Sequence, residues 1–443
     1  DELGVARHTL LETFNPSLDA LALARARLGL SKSMTEALTG GQGFSTLDSW
    51  DGKNAAALTS IALVLETSGH SFEELEVILR ASFVGAGLSM SCAAFPDDCD
   101  LQLASITGLT DAHLERWHRF VRLQRALGLG VHELDVALRT LAPTPGSLDD
   151  AFLQRLGAAR VIGERLKLDD LGLYELWSDI DVVTPPEDPQ APSRYASAFL
   201  RRALLPDPEA SNFALDQGGE LSDTALPMTD DSRLSVAKAA LGASSGELSL
   251  LVEWLSTLGM AADTTTTLAI LSAARRRISL ARALGISLAS LRRLISVTRL
   301  DPFHDAASIV DMAGLQRTLD FLDAARLVLD SGFSVEALDY ILFHESPDIA
   351  GIELDAEASR ELLARLDGQL AGLFERYAVA PDPTGARLRD ALAEYLPPTS
   401  PADPAVDVAR LDALMAIIAG TSSADDAAQN GMIATELGAF LTD

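Results

Sequence analysis

Seven histidines carry the most versatile chemistry in the chain: His8, His70, His113, His118, His132, His304 and His344. None stands in a metal-binding pattern; the HExxH arrangement, which sets two imidazoles one turn apart on one helix face, is absent. His113 and His118 are five residues apart, which places them on different faces of a helix. His70 and His132 fall at or beside helix corners, where polar residues are ordinary, so a structural role outweighs ligation. Carboxylates occur in pairs, as Asp97-Asp98, Asp149-Asp150, Asp169-Asp170 and Asp230-Asp231. Several of these stand where a helix begins, where a carboxylate accepts free N–H groups and opposes the macrodipole. No two are singled out as a general acid/base pair, and none sits in the alternating frame of a calcium loop. Gly40-Gly41 and Gly218-Gly219 lack the following residues of a phosphate cradle. Gly285-Ile-Ser-Leu resembles the start of a nucleophile elbow, but Ala289 stands where its last glycine belongs. The sequence therefore offers no catalytic residue, no cofactor-binding residue and no metal ligand, and no cofactor is expected.

Two cysteines, Cys92 and Cys99, flank a short Ala-Ala-Phe-Pro-Asp-Asp loop. A small disulfide and a pair of free thiols both fit this spacing. The 443 residues carry 64 acidic against 35 basic side chains, a net charge of −29 that would repel nucleic acid or an anionic membrane. Arg275-Arg276-Arg277 and Arg292-Arg293 add local positive charge beside a helix corner. The other corners are acidic or neutral, so these arginines are expected in surface ion pairs and not on DNA. No apolar run approaches the roughly 20 residues that span a bilayer. The chain begins Asp-Glu-Leu-Gly, with no signal peptide and no initiator Met, as a piece of something longer would. With so many carboxylates, acidification is expected to ease repulsion and alter packing between lobes or subunits.

The elements that must position these groups are read from Ala274–Val297. Two apolar-periodic runs meet there at Gly285-Ile286-Ser287. Leu271, Ala274, Ile278 and Ala281 share a face of the first; Leu288, Leu291, Leu294 and Ile295 share a face of the second. Glycine suits the left-handed position past a helix end, and Ser287 suits the next N-cap. Ile286 can pack on Leu291 as a hydrophobic staple. The signature Gly-x-Ser-x-x-x-Leu is thus a helix stop, a corner and a helix start. It recurs from Gly69, Gly242 and Gly332, with a Gly-capped variant from Gly128. A weaker copy starts at Gly29, where Thr35 replaces the leucine. Glu74, Glu133 and Glu247 stand three after their caps, as a capping box requires. Irregular spacing between copies argues against a strict solenoid and allows a helical stack with insertions.

In chain order, two helices are expected within residues 1–38, then Ala55–Glu66, Phe72–Ser82, Thr110–Leu127, His132–Leu141, Leu148–Leu166, Asp169–Asp179 and Tyr195–Leu204. Further helices are expected at Arg233–Leu241, Gly246–Thr257, Thr264–Leu284, Leu288–Val297, Ala313–Leu329, Val335–His344, Ala356–Tyr377, Arg387–Leu396, Arg410–Ile418 and Ala424–Leu441. Gly85–Asp100 reads as irregular, and no alternating strand run is convincing. The expectation is an all-α fold, an irregular stack of helix pairs in two or more lobes with long Pro/Gly-rich loops. Residues 1–182 form an N-terminal helical lobe, 183–232 a Pro-rich linker and long surface excursion, 233–396 a second helical lobe, and 397–443 a C-terminal helical segment.

Leu114–Leu138, reading LERWHRFVRLQRALGLGVHELDVAL, resembles the A subunits of bacterial insecticidal Tc toxin complexes, which are related to virulence plasmid A proteins. Ala196–Asp216 is similar to another stretch of that family, and Leu411–Asp443 to a later one. The resemblance spans the chain from about Leu114 to its end, and its motifs are structural. It implies the α-helical shell around a toxin translocation channel in a homopentameric A subunit. That brings partners in other regions and subunits of the assembly, possible contact with a host receptor, and a secreted or cell-surface location. The chain has no evident channel segment and no toxic enzyme, so no enzyme and no direct membrane insertion by this segment are expected, and its charge of −29 argues against a nucleic-acid partner. A free-standing helical interaction or receptor-binding module, using residues 206–232 as its contact surface, is the alternative. An enzyme with a site built from distant carboxylates is the least supported reading.

Overall fold

Gly285 ends a helix with φ 68°, a left-handed conformation in which a Cβ would strain the backbone. The N–H of Ile286 returns to Ala281 O at 3.0 Å, and Ser287 Oγ accepts the N–H of Ser290. Three residues thus satisfy the end of one helix and the start of the next. This geometry comes from a computed structural model. It describes residues 7–423 except 16–17, 41–48, 93–100, 145–146, 206, 208–210, 304–309, 344–355, 378–380 and 396–403.

The chain divides into two compact units, Asp1–Pro347 and Asp348–Asp443. The first begins with α1 (Arg7–Phe14), α2 (Ala20–Leu28), α3 (Lys32–Thr39), α4 (Ile61–Ser68), α5 (Phe72–Arg80) and α6 (Ser82–Gly85). A hairpin of β1 (Ser89–Cys92) and β2 (Ala104–Thr107) precedes α7 (Asp111–Leu127), α8 (Val131–Leu141), α9 (Asp150–Leu166), α10 (Asp170–Tyr174) and α11 (Arg194–Phe199). Then come α12 (Asp231–Leu241), α13 (Ser245–Thr257), α14 (Leu268–Leu284), α15 (Leu288–Thr298), α16 (Met312–Asp330) and α17 (Val335–Phe343). The second unit holds α18 (Ala356–Tyr377), α19 (Ala386–Tyr395) and α20 (Pro404–Ile418). The fold is all-α, with one two-stranded sheet among the described residues.

Every corner read from the sequence is formed. Gly29, Gly69, Gly128 and Gly242 cap their helices as Gly285 does, and Ser31, Ser71 and Ser244 cap the helices that follow. Ser334 accepts the N–H of Ala337 at 3.1 Å. Glu74 and Glu247 complete capping boxes. At the Gly130 variant, the Glu133 carboxylate still accepts the Gly130 N–H at 2.9 Å. The copy at Gly29 is as complete as the others. Thr35 is buried in the leucine's place, and its hydroxyl donates to Ser31 O at 3.0 Å, so burial leaves no polar group unmet.

Four differences from the sequence reading have local causes. Residues 7–28 form two helices, and Asp19 caps the second of them. Helix α4 starts at Ile61, after the Ser60 cap, because Ala55–Ala57 is taken up in a turn on Asn54. Helix α14 starts at Leu268, since Thr264 and Thr265 turn their hydroxyls back to Ala261 O and Thr267 caps. The irregular stretch after Gly85 contains antiparallel β1–β2, pairing Ser89 with Thr107 and Cys92 with Ala104. Ala104 and Ile106 turn to the core while Ser91 and Ser105 meet each other at 3.2 Å. An alternation four residues long is too short to register as periodicity.

One continuous core runs through the first unit from Leu28 to Val335. Helix α2 lies so close on α9 that a Cβ at Gly157 would stand 3.2 Å from Ala24 Cα. Residues 183–232, expected as linker and surface excursion, contribute Tyr195, Phe199, Phe213, Leu221 and Met228 to that core. Tyr195, Phe199 and Phe213 stack in series, and the Tyr195 hydroxyl donates to Phe213 O at 2.8 Å. Thr266 Oγ1 donates to Leu226 O at 2.7 Å, fastening the same segment to the entry of α14. In the second unit, Leu411 and Leu414 are buried and Arg389 pairs with Asp412. The helix expected at Ala424–Leu441 lies outside the described residues.

Candidate functional site

The densest polar chemistry lies where the sequence placed surface arginines. Helix α14 carries Arg275, Arg276 and Arg277 in a row, and Arg276 and Arg277 are only 3% and 5% exposed. They are not in surface ion pairs. The helical repeat puts them between Ala273 and Leu280 on the buried face, so the expectation of exterior charge fails there. Arg276 Nη2 donates to Ser178 O at 3.1 Å and stands 3.6 Å from Asp179 Oδ1. Arg277 lies over the rings of Trp254 and Phe303, 4.8 and 4.7 Å from their centres, and donates to Ala273 O at 2.9 Å. Burial lowers its pKa to about 10, so the guanidinium remains charged at neutral pH. Its Nε finds no partner among the described residues. In the other basic pair, Arg292 does make an exterior contact with Glu253 at 2.9 Å, while Arg293 approaches half-buried Glu336 and buried Asp339.

Arg275 turns the other way, toward Glu175. That buried carboxylate accepts from Arg275 Nε at 2.9 Å and from Arg194 Nε at 2.7 Å. Arg194 continues to Asp169 at 2.6 Å. The chain after α10, α11 and α14 are thereby joined through one carboxylate. Nearby, Ile180 N–H donates to Ser272 Oγ at 3.0 Å.

A second buried network starts at His132. Its Nε2 lies 2.5 Å from Asp181 Oδ2, and both residues are buried. Arg139 reaches Asp181 at 3.4 Å and Asp135 at 3.5 Å, and Asp135 accepts from Ser82 Oγ and Phe83 N–H. Burial raises the pKa of Asp181, but the His132 hydrogen bond and the Arg139 charge outweigh it and hold the group below its ordinary value. A carboxylate holding an imidazole is half of a nucleophilic triad. Among the described residues, no hydroxyl or thiol hydrogen-bonds to the His132 ring. The chain of contacts instead stitches α6, α8 and the segment after α10.

The remaining histidines are dispersed. His70 stacks on Trp117 at 5.9 Å and contacts Glu74; burial lowers its pKa. His118 meets Ser49 Oγ at 3.2 Å, and burial beside Arg122 lowers its pKa to about 4. His113 lies 2.6 Å from Thr110 Oγ1, and His8 is half-buried on α1. His304, His344, Cys99 and the Asp97-Asp98 pair lie outside the described residues, and with Cys99 the choice between disulfide and thiols. Asp149 and Asp230 cap α9 and α12. Among the described residues, no three His, Cys, Asp or Glu side chains gather as metal ligands, and no helix is long and apolar enough to cross a membrane.

Sequence reasoning missed Glu175, Asp181, Arg233, Arg276 and Arg277 as buried groups, and Arg194 as the half-buried partner of Glu175. Arg233 is fully buried and bridges to Asp223, with Nε and Nη1 unpartnered among the described residues. A usable signal existed for Arg276 and Arg277, which occupy an apolar stripe in α14; none existed for the acidic partners, which lie in turns.

No family model and no curated protein matches the chain. Among solved structures it is similar to that reported as the cryo-EM structure of Morganella morganii TcdA4, at 17% identity and a TM-score of 0.41. The similarity covers 58% of this chain and 11% of that one.

Proposed function

We propose that this chain is a non-enzymatic helical scaffold, part of the α-helical shell of a Tc-type toxin A subunit. One observation carries the reading. The segment that resembles that family, Leu114–Leu138, folds as α7, the Gly128 corner and α8, and its apolar positions are core: Leu114, Trp117, Phe120, Val121, Leu123, Leu134 and Leu138 are all buried. The resemblance therefore rests on residues that build helix pairs. Five further corners repeat the same device along the first unit. The large buried charges support the same reading, because each is spent on joining elements rather than facing a substrate.

In this role the chain presents packed helix pairs to neighbouring regions and subunits of a homopentamer that encloses a translocation channel. A host receptor is a further partner, and the assembly is secreted or held at the cell surface. The alternative, a free-standing module that binds through residues 206–232, is weakened because Phe213, Leu221 and Met228 of that segment face the core.

The test is deletion of these residues from the longer toxin subunit that the proposal requires. Electron microscopy and a translocation assay should then report failed assembly and no delivery. Normal pentamers with normal delivery would refute the scaffold role. An open reading frame that does not continue into a channel-forming region would refute the toxin assignment.

A further inference from the structure

Helices α11, α12 and α14 enclose an open cleft of about 270 Å³. Arg201, Arg275 and Arg282 line it together with Ser197 and Ser279, and none of its lining residues is acidic. In a chain with 64 acidic and 35 basic residues, three arginines converging on one cleft without a lining carboxylate call for a cause. Arginine does not deprotonate at neutral pH, and among the described residues only Arg275 of the three has a carboxylate partner, Glu175, which it shares with Arg194, so an anion in the cleft would offset charge that the protein leaves in excess there.

Two of the arginines are held in place by other groups. Arg275 is fixed through Nε by Glu175 at 2.9 Å, and that carboxylate is shared with Arg194. Its terminal nitrogens have no partner among the described residues. Arg282 is fixed through Nη2 by Leu241 O at 2.9 Å and Gly242 O at 2.6 Å, the free carbonyls at the end of α12. Its Nε and Nη1 are likewise unclaimed among the described residues. Arg201, on the turn after α11, makes no side-chain bond there at all. Ser279 lies one turn beyond Arg275 on the same stripe of α14, and its hydroxyl has no partner among the described residues. Donors anchored in advance bind an anion without losing side-chain entropy. Guanidinium forks match planar and tetrahedral oxyanions by paired N–H donation.

We propose that this cleft is a binding site for a small, multiply charged oxyanion, of the size and chemistry of a phosphate monoester. Its volume is just below the roughly 300 Å³ at which drug-sized sites begin, which fits one charged group with a small substituent. Arg275 and Arg282 form the fixed walls, Ser279 supplies a neutral donor, and Arg201 closes over the bound group from the solvent side. The inference stands apart from the scaffold reading, because it requires only the first unit's own geometry.

The experiment titrates the intact chain with inorganic phosphate, phenyl phosphate and citrate by calorimetry. Ionic strength is held constant with sodium chloride. Saturable binding is expected for the wild type. Arg201→Gln should weaken it at least tenfold, and Arg201→Lys should recover part of the loss. Arg326→Gln removes the same charge from an exposed position on α16 and should leave binding unchanged. Arg201 is exposed and bonds nothing, so Arg201→Gln should keep the wild-type melting temperature in the absence of ligand. Tighter binding of the phosphates than of citrate assigns the site to phosphoryl groups, and the reverse assigns it to carboxylates. No saturable binding of any of the three, or equal losses in Arg201→Gln and Arg326→Gln, would overturn the proposal.

Discussion

Arg277 has no carboxylate partner and is held by two aromatic rings and one carbonyl, so its charge and its bulk are separable. A buried charge often contributes little beyond what an apolar side chain of similar size would. Arg277→Met should therefore change stability by less than about 1.5 kcal/mol, whereas Arg277→Ala should lose about 3 kcal/mol through the cavity it leaves. Urea denaturation of both variants separates the two effects. Glu175 behaves in the opposite way: Glu175→Gln would leave Arg275 without its carboxylate and Arg194 with Asp169 alone, and should cost about 3 kcal/mol by the same measurement. Acid response is also decided by single residues. The folded state holds His118 at a pKa of about 4 against an ordinary 6.5, so between those values the unfolded chain binds more protons. The stability this gives is complete above pH 6.5 and is lost as pH falls toward 4. The depressed Asp181 carboxylate adds a loss at still lower pH. Acidification therefore weakens these sites even as it eases the repulsion of a −29 chain. Melting temperature should fall between pH 6.5 and 4, and His118→Gln should flatten that fall.

Helix corners were legible because each is local: a stop residue, a cap and a staple within seven positions decide it without reference to the rest of the fold. The same locality sets what their loss costs. Gly285→Ala places a Cβ at φ 68° with nothing within 4 Å, so only backbone strain is incurred, about 1 kcal/mol. Gly157→Ala meets Ala24 of α2 instead and must push two packed helices apart, which should cost about 2 kcal/mol. A larger loss for Gly285→Ala than for Gly157→Ala in parallel thermal melts would contradict this order. What was not legible is of the second kind. The α2–α9 approach, the Glu175 bridge and the His132–Asp181 contact join residues far apart in sequence, and each end alone looks like an ordinary surface group. Even Arg276 and Arg277 were misread, because three consecutive arginines suggest solvent before their position on the apolar stripe is counted.

At the scale of the whole first unit, α9 and its neighbours tie early residues to late ones. Arg165 pairs with Asp323 at 2.7 Å, and Trp177 Nε1 donates to Thr318 Oγ1 at 3.4 Å. The Tyr195–Phe199–Phe213 stack lies in the same core. Proline-rich composition made residues 183–232 look like a joint between lobes, and composition alone cannot tell a joint from a strap. A segment spanning 1–347 should melt in one cooperative transition followed by circular dichroism, while 1–182 and 233–347 prepared separately should show none. Independent cooperative folding of 1–182 would restore the joint. In the second unit, α18 shows Leu363, Leu366, Leu370, Leu373, Phe374 and Tyr377 to solvent, an apolar stripe of the kind that marks contact surfaces.

Trp254, 6% exposed beneath the Arg277 guanidinium, doubles as a built-in optical gauge. Indole emission shifts with adjacent charge and with access of water, so in a variant with Trp50, Trp117 and Trp177 replaced by phenylalanine its colour and quenching should report whether the centre of the first unit stays dry when the protein is warmed, acidified or assembled.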